Sequence, residues 1–165
     1  MRTLFITFLL IFASAELFAQ KMQLAGYTPD NYEVECASIA NQGAKMLKIW
    51  GYGRKPDLAI IQAKRNAVHS MIFKGAFAGV CTINPLVKSA ELAEQNKEYF
   101  DEFFDEGGTY LQYVAVSGGA AQDIVRVKDR GRKVYKASIV VLVQYDVLRT
   151  RLEKDIKLPS LTTGF

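Results

Sequence analysis

From Tyr32 the chain alternates apolar and acidic side chains (Tyr32-Glu33-Val34-Glu35-Cys36) with period two, the pattern of a strand with one face in a core and the other in water. Asn41-Gln42-Gly43 is turn chemistry, and a second strand from Ala44 to Gly51 follows closely enough to pair as a hairpin. Pro56 suits the first turn of a helix, with Asp57 at the positive end of its dipole. That helix is predicted to run to about Phe77, with Gly79 helping to end it. A second helix starts at Asn84-Pro85 or Ser89 and ends at Gly107-Gly108, a pair suited to a left-handed cap. The remainder is β-prone: Thr109 to Ser117, a break at Ser117-Gly118-Gly119, Gln122 to Val127, a turn at Asp129-Arg130-Gly131, and a long run from Lys133 to Tyr145.

Within that last run Ile139-Val140-Val141-Leu142-Val143 is apolar on both faces. Such a strand is expected to be central, covered on both sides or on one side by a partner. Asp146 is placed to cap a short final helix carrying Leu148, Leu152 and Ile156 four residues apart. The predicted fold class is α+β: a mainly antiparallel sheet of about five strands with two long helices on one face, in the order ββααβββα.

Upstream of this pattern, Met1-Arg2 precedes an apolar run from Leu4 to Ala13 and then small residues. This is the layout of a secretory signal peptide, and the run is too short for the ~20 residues of a bilayer span. Cleavage fits after Ala15 or after Ala19. The expected organisation is a signal peptide over 1–19, one domain over 20–158 and a flexible tail over 159–165. No cysteine stands at either junction, which argues against a lipid anchor there. Removing residues 1–19 deletes one Arg and one Glu and leaves the net charge at +4, a mild excess that calls for no nucleic-acid partner. Cys36 and Cys81 are either a disulfide, permitted by an oxidising compartment, or two buried thiols acting as small hydrophobes.

The stretch that most resembles a ligand site is WGYGRKPDLAIIQAKRNAVHSMIFKG, Trp50 to Gly75. A dinucleotide fingerprint needs a third glycine where Pro56 stands. A phosphate-binding P-loop needs Ser or Thr after Lys55, and Pro56-Asp57 supplies neither the hydroxyl nor, at Pro56, an amide. Ala59, Ala63, Ala67 and Ser70 instead form a stripe of small side chains, with Gln62, Arg65 and His69 as the polar wedge. The stretch reads as a buried helix packed closely on a strand, and Arg54 and Lys55 carry what remains of an anion-binding case.

Gly-Tyr-Gly ending a strand, then Ala59, Ala63, Lys64, Arg65, Asn66 and Ala67 on a helix, and a closing Tyr145-Asp146-Val147-Leu148 helix resemble a domain found in small Gram-negative envelope lipoproteins and in the N-terminal part of a flagellar assembly protein. The likeness covers roughly Ala44 to Ile156. It implies a non-catalytic domain that joins envelope or surface assemblies, with other envelope proteins as partners, at the periplasm or cell surface and peripheral to the outer membrane. The family supplies no catalytic residue to carry over. This chain lacks the lipid-attachment cysteine.

Two charged segments remain. Glu91, Glu94, Glu98, Asp101, Glu102, Asp105 and Glu106 mark the second helix as an acidic, solvated face whose spacing matches no calcium loop. Arg126, Lys128, Arg130, Arg132, Lys133 and Lys136 crowd the hairpin around Gly131. That basic cluster is read as a match to the acidic helix, as protection of a sheet edge, or as a surface for an anionic glycan, lipid head group or nucleic acid. Tyr110, Tyr113, Tyr135 and Tyr145 are expected on neighbouring strands as cross-strand pairs. His69, the single histidine, has no partner at zinc-ligand spacing. Ser117 lacks a nucleophile elbow. The expected function is therefore a structural or interaction role without catalysis, metal or cofactor; the alternative is an anion-binding module using Arg54, Lys55 and the hairpin. A homo-oligomer is compatible with either.

Overall fold

A computed structural model describes residues 32–39, 43–117, 123–129 and 131–158. The expected signal peptide, tail, Asn41-Gln42 turn, Gly118-Gly119 break and Arg130 lie outside the described residues. Among the described residues the architecture is α+β, an open antiparallel five-stranded sheet with four helices. The strands are β1 (Val34–Ile39), β2 (Lys45–Gly53), β3 (Val114–Val116), β4 (Asp123–Asp129) and β5 (Arg132–Val143). The helices are α1 (Pro56–His69), α2 (Ala90–Gln95), α3 (Lys97–Phe103) and α4 (Tyr145–Asp155), with a π-helical turn at Ser70–Lys74 and a 3-10 turn at Thr109–Tyr113.

β5, the strand with apolar residues on both faces, is the centre of the sheet. β2 pairs along one edge of it from Lys45↔Val143 to Gly53↔Tyr135. Its other edge carries β4 along Arg132 to Ser138 and β3 along Val141 to Val143. β1 closes the far side on β2, with a bulge between Cys36 and Ser38. Leu47 and Ile49 on β2 and Ala137, Ile139, Val141 and Val143 on β5 are wholly buried on one face, and α1 lies across them.

The glycines of the Gly-Tyr-Gly segment explain how α1 comes so close. A Cβ at Gly51 would stand 2.3 Å from the Ala63 amide nitrogen and 2.4 Å from the Ala59 carbonyl oxygen, and one at Gly53 would stand 2.4 Å from the Ala59 nitrogen. Helix backbone occupies the space a side chain would need. The matching surface on α1 is its stripe of small residues, with Ala59, Ala63 and Ala67 wholly buried. Asn66, also buried, donates from Nδ2 to the Trp50 carbonyl at 2.8 Å and so ties the helix to the strand at the residue before Gly51.

Three elements differ from the sequence reading. α1 does not continue to Phe77: after His69 the winding widens to a π turn that ends at Gly75, whose φ of +76° favours glycine and whose amide bonds the Ser70 carbonyl at 2.6 Å. Ser70 Oγ also donates to the Ala67 carbonyl at 2.8 Å, a local competitor for the helical pattern. The carbonyls of Met71 and Ile72 are satisfied by the amides of Leu86 and Val87, so the following segment packs on the helix end.

The predicted second long helix is two short ones. Ser89 caps α2 by accepting from the Leu92 amide at 3.3 Å, but Asn96 interrupts the run, its Nδ2 donating to the Leu92 carbonyl at 2.8 Å. The break re-aims α3 so that Phe100 and Phe103 enter the core. Thr109 to Tyr113 forms the 3-10 turn, leaving only Val114–Val116 extended, because Tyr110 and Tyr113 are buried there among Phe103 and Phe104. Tyr145 opens α4, so of the four tyrosines only Tyr135 lies on a strand. Gln144 is the N-cap of α4 and Asp146 sits in its first turn.

Gly51→Ala is expected to lower unfolding free energy by about 3 kcal/mol, because backbone rather than a movable side chain fills the Cβ site. Arg54→Gln and Lys55→Gln, at exposed positions, should stay within about 0.5 kcal/mol of wild type; chemical denaturation of the three variants checks both.

Candidate interaction surfaces

The loop between β2 and α1 does not form a phosphate cradle. Its glycines face the α1 backbone, Pro56 opens the helix, and Lys55 as N-cap makes no side-chain capping bond. Arg54 and Lys55 are exposed at its rim.

The hairpin cations separate into two sets by register. In an antiparallel pair, directly opposed residues share a face. Arg126 lies opposite Tyr135, and Lys128 opposite Lys133, so these three cations are on the α1 side of the sheet. Gly53 is the partner of Tyr135 on the other edge of β5, so Arg54 and Lys55 leave β2 beside the base of the arm. The Arg126 guanidinium lies 6.0 Å from the Tyr135 ring centroid. Arg132 falls on the alternate positions of β5, as does Lys136, which bonds Glu33 at 3.6 Å and lies over the Trp50 and Tyr52 rings. Arg130 is outside the described residues.

All seven carboxylates of the acidic segment are exposed on and after α2 and α3. Lys97 pairs with Asp101 within α3. Among the described residues no ion pair joins this acidic face to the hairpin, so of the three readings of the basic cluster the match to the acidic helix gains no ion pair there. The two segments lie on different elements, and neither neutralises the other.

The sheet face away from α1 is the surface that the sequence reading left undefined. It consists of Met46, Lys48, Trp50 and Tyr52 on β2, opposite Leu142, Val140, Ser138 and Lys136 on β5. Lys48 is exposed and the other seven are half-buried. Lys48 Nζ lies 5.0 Å from the Trp50 ring centroid, and Ser38 Oγ bonds Met46 Sδ at 3.1 Å. Among the described residues no helix packs on this face. The alternation of Met46, Lys48, Trp50 and Tyr52 was a readable period-two signal; what it could not show is that all four helices gather on the opposite side.

At the β1 edge the structure bridges Cys36 and Cys81, with Cα atoms 5.4 Å apart. The bridge holds residues 78–80 against β1, where the Cys36 amide donates to Ala78 O at 2.7 Å and the Val80 amide to Cys36 O at 2.9 Å. Phe77 and Val80 on this tethered loop are 64% and 78% exposed. Beside it is an open cleft of about 350 Å³, lined by Tyr32, Val34, Glu35, Lys74 and Phe77 among others. Lys74 Nζ spans the cleft wall to donate to the Tyr32 carbonyl at 2.9 Å.

His69 is held inside the fold rather than presented at a site. Its Nδ1 is 2.8 Å from the Tyr32 hydroxyl, and its ring contacts those of Phe73 and Phe104. Ser117 uses its amide to extend the β3 pairing to the Val140 carbonyl at 2.9 Å. Among the described residues no three His, Cys, Asp or Glu side chains gather as metal ligands.

One polar link has a clear electrostatic signature. The Tyr99 hydroxyl on α3 donates to the Asp155 carboxylate on α4 at 2.9 Å, and Arg151 pairs with the same carboxylate. Burial and the Asp155 contact raise the Tyr99 pKa. For Asp155, burial opposes ionisation, but the hydrogen bonds from Arg151 and Tyr99 outweigh it and hold the carboxyl below its ordinary 3.8.

Among the described residues the fold is a two-layer α+β domain with helices on one sheet face and none on the other. The chain matches no protein-family model, no curated protein and no solved structure.

Two measurements follow. Replacing Cys36 and Cys81 by Ser should lower stability by about 4 kcal/mol, the chain-entropy value for a 45-residue separation, and hydrogen exchange should speed selectively at the Cys36 and Val80 amides. Because the Asp155 pKa is depressed on folding, its contribution is present above the unfolded-state value near 3.8 and is lost as pH falls through the lower folded value. The stability difference between wild type and Asp155→Asn should therefore be constant above about pH 5 and shrink below about pH 4, as read by urea denaturation across pH.

Proposed function

We propose that this protein is an exported, non-catalytic interaction domain, a component of a bacterial cell-envelope or surface assembly. The observation that supports this reading is the open sheet face. Antiparallel sheets that face water alternate core residues with polar ones, whereas here Met46, Trp50, Val140 and Leu142 form a connected, half-buried apolar area over the two central strands. Covering it with a partner removes that area from water at about 25 cal/mol per Å². Phe77 and Val80 on the loop bridged to β1 add a second apolar element at the edge. The leader-like N-terminal pattern and the resemblance to envelope lipoprotein domains agree with this placement, and other envelope proteins are the proposed partners.

Val140→Thr with Leu142→Thr places β-branched, strand-compatible Thr at both β5 positions while removing apolar area from the open face. In envelope extracts the wild-type chain is expected to migrate in a larger complex and this variant as the free chain, with both unfolding at similar temperature when purified. Identical migration of the two, as free chain, would sink the reading.

A further inference from the structure

We propose that the β4–β5 hairpin is a docking element for an anionic phospholipid surface, with Arg126, Lys128, Lys133, Arg54 and Lys55 as its phosphate-facing cations. The proposal is independent of the assembly reading, because it needs no protein partner. It begins with a register that the hairpin's own stability disfavours. Lys128 and Lys133 stand directly opposite each other, and like charges in that position repel. Arg126 lies two residues along on the same face, and Arg54-Lys55 leave β2 at Gly53, opposite Tyr135. All five side chains are exposed, and none is in an ion pair among the described residues. Asp57, exposed in the first turn of α1, is the nearest acid in sequence to Arg54 and Lys55.

Two features argue for an external anion over simple edge protection. Guarding the free edge of β4 requires charge on that strand alone, yet Lys133 stands on central β5 and Arg54 and Lys55 follow the end of β2, none of them on that edge. The arm also projects: β2 pairing ends at Tyr135, whereas β4 and β5 remain paired to Asp129↔Arg132. The close contact of Gly53 with the first turn of α1 fixes where Arg54 and Lys55 sit relative to the arm.

A lipid surface, rather than a soluble phosphate polymer, is favoured by what accompanies the cations. Ile124, two residues before Arg126 and on the same face of β4, is 37% exposed, and half-buried Tyr135 stands between Arg126 and Gly53. Aliphatic and tyrosine side chains beside Lys and Arg are the composition of elements that lie in a membrane interface. No helix among the described residues is long and apolar enough to cross a membrane, so this contact would be peripheral.

The test uses the mature chain from Gln20 and vesicles of phosphatidylcholine alone or with about 30% phosphatidylglycerol, at low and physiological salt. Co-sedimentation is expected with the anionic vesicles only, weakening as salt rises. Lys128→Gln with Lys133→Gln should reduce partitioning about 30-fold, with stability unchanged or raised as the opposed charges are removed. Lys88→Gln with Lys154→Gln, exposed residues away from the arm, removes the same charge and should have little effect. Equal binding to neutral and anionic vesicles, or equal loss in the two double variants, would overturn the proposal. So would binding of inorganic polyphosphate without binding of anionic vesicles, which would assign the arm to a soluble phosphate polymer.

Discussion

The structure depends on the contact between the α1 backbone and the end of β2. Two glycines, Gly51 and Gly53, lie beneath Ala59 and Ala63 at separations that leave no room for a Cβ. Asn66 fixes the crossing by donating to the carbonyl of Trp50, the residue before Gly51. Bringing a helix this near lets Val68, Met71 and Ile72 reach the same core as Leu47, Ile49, Ile139 and Val141. The remaining helices then build outward from that seam: the π turn receives the amides of Leu86 and Val87, and the aromatic group of Phe73, Phe100, Phe103 and Phe104 packs beside it.

Concentrating every described helix on one side of the sheet has a direct cost on the other. The core is one cluster on the α1 side that also takes in Leu148, Leu152 and Ile156 from the last helix and its end. The opposite face keeps Trp50, Tyr52, Val140 and Leu142 half in water, with Lys48 and Lys136 set over the aromatic rings. Lysine stems cover apolar surface while their ammonium groups stay hydrated, which moderates the exposure without removing it. The disulfide at the β1 edge acts in a different place: it adds residues 78–80 to the sheet margin and covers part of an otherwise unpaired edge.

Charge is segregated as well. Acidic side chains gather on α2, α3 and the turn after them, and basic ones gather on the hairpin arm and the start of α1. The ion pairs that do form are mostly i, i+4 pairs within α3 and α4, such as Arg149 with Glu153 at 2.8 Å. Helical i, i+4 pairs of this kind contribute a few tenths of a kcal/mol each, so the segregated charge matters more for what approaches the molecule than for its folding.

Local pattern was enough to determine the α+β class, the central place of the Ile139 to Val143 run, the small-residue stripe of α1 and its close approach to a strand. Each follows from side-chain periodicity and from where glycine and alanine fall, which neighbouring residues alone encode. Tertiary structure decided the rest. Whether Phe100 and Phe103 reach the core set the break at Asn96, and the packing of Tyr110 and Tyr113 against Phe104 and Phe103 turned a β-prone run into a 3-10 turn. The candidate sites divide the same way. The cations were legible as residues, but their separation into a shared face and an opposite one depends on register, a property of two strands. Cys36 and Cys81 were legible as a pair, yet only the fold brings their Cα atoms within 5.4 Å. The open sheet face was hidden for the same reason: alternation marks two faces on every strand, and only long-range packing chooses which one the helices cover.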